Sequence, residues 1–395
     1  MQSLHLSAYT ASCAAGHGKD ALWQALQQQR SGLRRNDFPH CGLSTHIGRM
    51  HGVEDVALPK EFAEWDCRNN RLAWIGLGQD GFLDSVARAR DRHGKKRVAL
   101  VLGTSTASIG STEEAYRLRE NETELPAAYR RPVIHTPHSL TGFVRQYLEL
   151  EGPFLTVATA CSSSARVFAS AARLLQAGMA DAAVVGGVDS LCLSVLYGFN
   201  ALELMSPEPC RPFDVLRNGI NIGEAAGFAL LERESASTLF FEGYGESSDA
   251  YHMSSPHPEG LGARQAMEAA LQRAELSPDA IDYVNLHGTA TRVNDEVEGK
   301  AIVGMFPRPV ACSSTKAWTG HALGAAGILE AAISALCLER GMIPATLNCT
   351  EAEPLLADYV QMENRERTLE HVMSNSFGFG GNNCSLIFGQ GMRRG

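Results

Sequence analysis

Short apolar runs and amphipathic stretches alternate along the first half of the chain, which indicates strands separated by helices. Continuous apolar runs predict strands over residues 97–103, 154–158, 181–188, 226–232 and 239–245. Amphipathic or small-residue stretches predict helices over residues 139–151 and 162–178. Strands that alternate with helices are typical of βαβ units, so we expect an α/β protein with a largely buried sheet.

The second half repeats this order of elements without a visible sequence repeat. The pattern predicts helices over residues 261–274, 293–305 and 322–340, and strands over residues 281–286, 371–376 and 383–388. The glycines at 378, 380 and 381 predict a tight turn that joins the last two strands. No low-complexity linker divides the chain, and we place the boundary between the two halves, 1–235 and 236–395, close to residue 235.

Composition restricts the classes of function. A chain of 395 residues with 44% hydrophobic residues and 38 glycines suits a large α/β enzyme, and its net charge of −9 argues against a general nucleic-acid binder. The ten cysteines lack metal-ligand spacing, so we expect a reducing cytoplasm and no metal site. No apolar run is long enough to span a bilayer, and no dinucleotide fingerprint or P-loop is present.

Cys161 is the strongest candidate for chemistry. It lies in TACSSSA (159–165), between a predicted strand and a predicted helix. At such a position the free N–H groups and the dipole of the helix favour thiolate over thiol, and the backbone N–H can contribute to an oxyanion hole. Most cysteines in a soluble protein are structural, and we assign Cys192, Cys337 and Cys384 to that group.

Two histidines follow in loops of small residues. His287 opens HGTAT (287–291), and His321 follows Lys316 in KAWTGH (316–321). We expect the helix start after His321 to keep its imidazole neutral, so that it can hydrogen-bond a developing enolate. Asp295 and Glu298 follow one helical turn apart, and one of them is expected to pair with Lys316.

A carboxylate and a glycine turn complete the candidates. Glu330 lies in a predicted apolar helix, where a carboxylate needs a partner unless it is on the exposed face. Phe379 lies between glycines in SFGFGGNN (376–383), where it can gate a cavity or pack in a plain hairpin.

Together these segments resemble the elongating β-ketoacyl-acyl-carrier-protein synthases of the thiolase-fold superfamily. The matching blocks are TACSSSA (159–165), RPFDVLRNGINIGEAAG (211–227), HGTATRVNDEVE (287–298), STKAWTGHALGAAGILE (314–330) and NSFGFGGNN (375–383). The resemblance implies two similar halves in a five-layered αβαβα architecture. It also implies an acyltransferase that loads an acyl group and condenses it with a malonyl unit as carbon dioxide leaves.

The resemblance also implies roles for individual residues. Cys161 is implied to accept the acyl group, and His287 and His321 to serve decarboxylation and condensation more than acyl loading. Lys316 is implied to support the site through Glu298, with Asp295 beside it, and Glu330 to orient the network. The implied substrate contacts are Thr289 and Thr291 for phosphopantetheine, Phe377 and Phe379 for acyl entry, and Thr112 at the tunnel end.

The resemblance implies no cofactor, because the carrier protein brings its own phosphopantetheine. It implies an acyl-carrier-protein partner, docked on basic residues for which Arg68, Arg71, Arg130 and Arg131 are candidates. It also implies a homodimer, or a heterodimer with an inactive paralogue that sets chain length. The chain departs from the family at a weak opening strand (4–8), at Ile220 for an aromatic, at Arg292 for proline and at Asn382 for threonine. These departures suggest a specialised polyketide or aryl-polyene-type pathway.

Three alternatives stay open on the residues alone. A thiolase needs a second cysteine in the C-terminal glycine loop, where this chain has Phe379. A starter-type synthase normally carries a Cys-His-Asn set, which the two histidines argue against. A non-catalytic chain-length or scaffold subunit is disfavoured by the presence of Cys161 with both histidines and Lys316.

Overall fold

Two five-stranded sheets with the same strand order, joined into one continuous sheet and extended by the two-residue strand Gly16–His17 on the first strand, form the centre of this computed structural model, which describes residues 1–391. The first sheet contains β1 (Leu4–Cys13), β2 (Val98–Gly103), β3 (Phe154–Val157), β4 (Ala182–Asp189) and β5 (Ala225–Glu232). The second contains β6 (Leu239–Ser248), β7 (Tyr283–Asn285), β8 (Ala311–Ser313), β9 (His371–Gly378) and β10 (Asn382–Gln390).

The sequence indicated that the two halves repeat the same order of elements. The structure shows that they also repeat the same strand order within their sheets. The first sheet has the order β3-β2-β4-β5-β1 and the second β8-β7-β9-β10-β6, so each half has the order 3-2-4-5-1. In each half the first three of these strands are parallel, and the fourth is antiparallel to both of its neighbours. The fold class predicted from the sequence is therefore confirmed.

The two sheets join at one corner. Leu4 and His5 of β1 pair with Phe241 and Phe240 of β6, while the rest of β1 pairs with β5. The hydrogen-bond ladder is thus continuous across both halves. The sequence pattern of this opening strand is weak, yet it runs for ten residues, because it pairs on both sides.

Helices fill the space between the sheets and cover their outer faces. α6 (Ser163–Gln176) and α11 (Ala326–Arg340) pack with both sheets in one central hydrophobic cluster. The remaining helices are α1 (Gly18–Gln27), α2 (Arg68–Leu77), α3 (Phe82–His93), α4 (Ile109–Arg117), α5 (Ser139–Tyr147), α7 (Leu193–Ala201), α8 (Leu261–Ala274), α9 (Arg292–Met305) and α10 (Lys316–Thr319). α2, α3 and α5 cover the first sheet, and α8 and α9 cover the second, which gives the five layers.

Small residues let the two central helices approach each other closely. A Cβ added at Gly327 of α11 would lie 2.5 Å from the backbone nitrogen of Ala165 in α6. One added at Gly103, at the end of β2, would lie 2.6 Å from the backbone nitrogen of Ser164. The glycines and small side chains here therefore position the start of α6, which directly follows Cys161.

Several predicted elements differ from the observed ones. The strand predicted over residues 239–245 extends to Ser248, and β1 separates it from the strand predicted over residues 226–232. The helix predicted from residue 322 begins at Ala326, after a 3₁₀ turn over Leu323–Ala325. α2 and α3 were not assigned from the sequence, and the domain boundary near residue 235 stays a prediction. Within residues 1–391, no helix is both long and apolar enough to cross a membrane.

Candidate active site

Cys161 lies on a sharp turn between β3 and α6. The turn is a 3₁₀ segment, Ala160–Ser162, and Ala160 has a φ of 51°, which is a strained value for a residue with a Cβ. Hydroxyl groups fix the turn, because Ser163 Oγ accepts a hydrogen bond from the Thr159 N–H at 2.9 Å and donates one to the Ala160 carbonyl at 2.6 Å. The predicted elbow is present, and it presents the sulfur to a cavity.

The thiol of Cys161 is not in a thiolate-favouring environment in the free protein. Burial raises its pKa to about 11, and the Lys316 ammonium and the backbone N–H groups of Phe379 and Cys161 only partly oppose this effect. Burial therefore opposes the thiolate that the sequence predicted, and the contribution of the helix start stays a prediction. The same two N–H groups face the sulfur, as donors of an oxyanion hole would.

His321 lies directly beside the thiol. Its Nε2 is 3.0 Å from the Cys161 Sγ, and its backbone N–H donates to the Asn221 carbonyl at 2.8 Å. Burial, followed by the positive charge of Lys316, holds the pKa of His321 well below its usual value. The imidazole is neutral, as expected, but the cause is burial and a nearby cation. A neutral Nε2 can accept the proton of the thiol.

Glu298 holds the backbone of His287, and Lys316 lies against its ring. Glu298 accepts hydrogen bonds from the N–H groups of His287 and Gly288, both at 2.8 Å. Lys316 Nζ lies 3.3 Å from His287 Nδ1, and an ammonium has no acceptor, so Nδ1 carries the lone pair and Nε2 the proton. Burial, with the charge of Lys316, lowers the pKa of His287 well below its usual value. His287 is therefore a neutral hydrogen-bond donor.

Lys316 pairs with Glu330, which corrects the pairing expected from the sequence. The Lys316 ammonium donates to Glu330 Oε1, and both side chains are buried. Glu298 and Asp295 form no ion pair with Lys316: Glu298 holds the His287 loop, and Asp295 accepts from the N–H groups of Phe213 at 2.8 Å and Ala290 at 3.2 Å. Burial raises the pKa of Glu298 to about 7, against the hydrogen bonds from the Gly288 and His287 N–H groups. It raises the pKa of Glu330 to about 6, against the charge of Lys316.

A cavity of about 510 Å³ ends at Cys161 and the two histidines. The Thr289 and Thr291 hydroxyls lie 2.8 Å apart on its wall, and Phe377 also lines it. Phe379 lines it too, and its ring stacks on Phe199 of α7 with centroids 5.6 Å apart. The cavity therefore brings together the thiol, two neutral imidazoles, hydroxyl groups and aromatic rings.

Thr112 is the one predicted substrate contact that is not on this cavity wall. It lies in α4, where its hydroxyl is 3.0 Å from the His135 Nδ1. Its assignment to the end of an acyl tunnel stays a prediction. The sequence reading missed other wall residues, above all Phe199 and Leu202. Their signal was weak, since α7, which carries Phe199 and ends just before Leu202, is mostly apolar and lacks a distinct apolar face.

The four arginines proposed for docking differ in accessibility. Arg68 binds the buried Glu224 through two hydrogen bonds of 2.8 and 2.6 Å, so it is a structural residue. Arg71 forms two 2.7 Å bonds with the Asp66 carboxylate, and Arg131 donates to the Asp66 carbonyl. Arg130 pairs with the exposed Glu124. The charge of Arg68 is therefore already balanced by Glu224, and docking of a carrier protein on these arginines stays a prediction.

The fold and this centre define a thiolase-fold enzyme with a buried cysteine and two neutral histidines. Comparison with known proteins agrees. Residues 72–237 match the β-ketoacyl synthase N-terminal domain, and residues 240–350 match the C-terminal domain. A 3-oxoacyl-[acyl-carrier-protein] synthase 2 from Coxiella burnetii is 37% identical over 402 residues, which cover 94% of each chain. The chain belongs to the β-ketoacyl synthase family of acyltransferases.

Solved structures show the same relationship. A chain from the complex of a ketosynthase (ApeO) with its chain length factor (ApeC), from Xenorhabdus doucetiae, is 37% identical, with a TM-score of 0.88. The alignment covers 99% of this chain and 98% of that one. A chain of the ishigamide ketosynthase/chain length factor is 25% identical, with a TM-score of 0.89 and 99% of each chain covered.

Proposed function

We propose that this protein loads an acyl group onto Cys161 and condenses it with a malonyl unit on an acyl carrier protein, with loss of carbon dioxide. The main support for this proposal is that His321 Nε2 lies 3.0 Å from the Cys161 Sγ. The His287 ring lies alongside, with its centroid 5.3 Å from that of the His321 ring. A nucleophile, a neutral base and a neutral donor thus share one buried cavity. These are the groups that acyl transfer followed by decarboxylative condensation needs.

In the loading step, Cys161 attacks the carbonyl carbon of an incoming thioester. Because burial keeps its thiol protonated, the proton passes to His321 Nε2 as the carbon–sulfur bond forms. The tetrahedral oxyanion is held by the N–H groups of Cys161 and Phe379. The carrier thiolate then leaves and takes the proton from His321, which returns to its neutral state.

In the condensing step, a malonyl thioester loses carbon dioxide and its electron pair moves onto the thioester oxygen. The Nε2–H of His287 donates to this enolate oxygen, and His321 is placed to donate from the other side in the tautomer that carries its proton on Nε2. The enolate carbon attacks the acyl group on Cys161, and the cysteine sulfur leaves as a thiolate. A proton taken up from water then restores the thiol. Glu298 and Asp295 contribute by holding the backbone of the His287 loop, and Glu330 by holding Lys316. No cofactor enters this scheme.

Intact-protein mass spectrometry tests the loading step. After incubation with an acyl carrier protein that bears an acyl group, the mass of the protein should increase by one acyl unit, and the unit should map to Cys161. Cys161→Ala should show no increase, while Cys41→Ala, a cysteine outside the cavity, should be loaded normally. Acylation that persists in Cys161→Ala would refute the assignment.

The partner is proposed to meet the free edge of the first sheet. β3 is an edge strand with backbone groups unpaired on one side, and Leu155 on it is 45% exposed. An open edge with an exposed apolar side chain favours pairing with another chain. We propose a second copy or a chain-length-factor-like paralogue at this edge, and a reducing compartment such as the cytoplasm. The Xenorhabdus complex supports a paired arrangement.

We propose a specialised pathway, because the sequence departs from the family pattern at several positions. The identity of 37% to both the Coxiella synthase and the Xenorhabdus complex favours neither primary fatty acid synthesis nor a polyketide pathway. Ile220 does line the cavity, where a smaller side chain than the family's aromatic residue leaves more room for the acyl chain or its carrier arm. Product analysis with purified carrier protein decides between the two pathways.

A further inference from the structure

Arg292 places a positive charge on the wall of the catalytic cavity. It begins α9, it is exposed, and it is the one lysine or arginine on this wall within the described residues. Its neighbour Arg217 forms ion pairs with Glu353 and Asp295, whereas no described carboxylate lies within ion-pair distance of the Arg292 guanidinium. The Arg292 side chain is therefore available to a ligand.

Helix stability does not account for an arginine at this position. A cation in the first turn of a helix is unfavourable, because the dipole is positive there. Proline suits the first helical position, because its fixed φ matches the helix and its missing N–H loses no bond, and proline is the residue usual in the resembling family. Arginine therefore replaces a residue that stabilises the helix start with one that opposes the dipole, which points to a contact outside the helix.

Arg292 lies on the cavity wall at the opposite end of the HGTAT loop (287–291) from His287. His287 marks the catalytic end of the cavity, and the five residues from it to Arg292 span at most about 18 Å. The Thr289 and Thr291 hydroxyls lie between these two ends on the same wall. A thioester at Cys161 would direct the amides of a pantetheine arm past these hydroxyls and its phosphate towards the cavity mouth.

We propose that the Arg292 guanidinium binds the phosphodiester group that joins the pantetheine arm to the carrier protein. This inference rests on the proposed function. Guanidinium groups bind phosphate through paired, charge-assisted hydrogen bonds, which gives direction as well as attraction. Arg292 thus acts as a positioning residue that selects carrier-borne or phosphorylated thioesters over simple ones.

The experiment compares two small thioesters that differ only in the phosphate. Octanoyl-4′-phosphopantetheine and octanoyl-pantetheine are each used to load Cys161, and the second-order rate is followed by intact mass. The wild-type protein should load the phosphorylated thioester faster than the unphosphorylated one. In Arg292→Ala the ratio of these two rates should fall roughly three- to tenfold, which is the range expected for an exposed charge pair that also forms direct hydrogen bonds. Arg292→Lys should keep part of it, and added salt should weaken it.

Arg30→Ala is the matched control, because Arg30 is also exposed but lies away from the cavity wall. This variant should prefer the phosphorylated thioester as strongly as the wild type does. An Arg292→Ala variant that slows both thioesters equally, or neither, overturns the phosphate contact. A loss seen only with the intact carrier protein also overturns it, since Arg292 would then contact the carrier's own side chains. Failure of the wild type to accept any thioester would refute the proposed function instead.

Discussion

At the scale of single residues, one lysine organises the charges of the centre. Lys316 pairs with Glu330, contacts Nδ1 of His287, and its charge lowers the pKa values of both histidines and opposes the burial effect on Cys161. Burial, which is the larger cause, acts together with this charge to keep both imidazoles neutral near pH 7. Each can then act as donor or acceptor according to its tautomer, and the positions differ: His321 touches the sulfur, and His287 does not.

This difference predicts distinct losses in the two histidine variants. His287→Ala should load Cys161 nearly as fast as the wild type but release carbon dioxide from malonyl carrier protein about 10²–10³-fold more slowly, because one enolate donor is gone. His321→Ala should slow both steps, since it also removes the base beside the thiol. Loading is measured by intact mass and decarboxylation by labelled carbon dioxide.

His40→Ala serves as the control, because His40 is exposed and outside the cavity. Normal decarboxylation in His287→Ala would exclude its role as enolate donor. Unchanged loading in His321→Ala would restrict that histidine to the malonyl half-reaction, as the sequence alone suggested.

The raised pKa of Cys161 predicts an unusual pH profile of alkylation. The rate of iodoacetamide labelling at Cys161 should keep increasing through pH 10, with a midpoint near 11, because thiolate is the reactive form and burial disfavours it. Lys316→Met should move the midpoint higher, since it removes the charge that opposes burial. Peptide mapping of the labelled protein measures the profile, and a midpoint below 8 would contradict the structural account.

At the scale of elements, the site depends on the close contact between α6 and α11. Gly327→Ala should destabilise the protein by about 1–3 kcal/mol, because the added Cβ meets the backbone of Ala165 and over-packs the interface. The loading rate of Cys161 should fall as well, because α6 carries the turn on which the thiol lies. Denaturant unfolding and intact mass measure the two effects.

Gly304→Ala is the matched control in α9, where the added Cβ would approach no atom closer than 3.6 Å. It should leave stability unchanged or raise it by up to about 1 kcal/mol, because alanine has the higher helix propensity. If both variants behave alike, helix propensity and not packing sets the response at Gly327.

At the scale of the whole molecule, the centre forms only where the two halves meet. The first half supplies Cys161 at the end of β3, and the second supplies His287 after β7 and His321 before α11. The common strand order places the Cys161 turn and the histidine loops at one junction. Neither half alone contains the arrangement.

The free edge of β3 predicts an association that can be broken at one side chain. Leu155→Asp should convert a dimer to a monomer, because it places a charge on the apolar edge through which the sheets would pair. Light scattering coupled to gel filtration measures the mass. Leu355→Asp, at a 44% exposed leucine on another surface, should leave the mass unchanged. A wild-type monomer, or a Leu155→Asp dimer, would remove β3 from the interface.

The sequence by itself determined the elements and the chemistry-bearing residues. Apolar runs and small-residue helices are local signals, so β2, β4, α6 and α8 were predicted to within a residue or two. Cys161, His287, His321 and Lys316 were recognised because small residues and glycines flank them in spaced motifs. The weak opening strand was underestimated, because pairing on both sides, and not its own pattern, stabilises β1.

Only the tertiary structure decided the partners and the electrostatics. Lys316 pairs with Glu330 of α11 and not with Glu298, whose carboxylate accepts hydrogen bonds from the backbone of the His287 loop instead. The pKa of Cys161 rises instead of falling, because burial depends on every element packed around it. Arg68 proved to be a structural residue for the same reason. Contacts between residues distant in sequence set these properties, so no local pattern of residues could specify them.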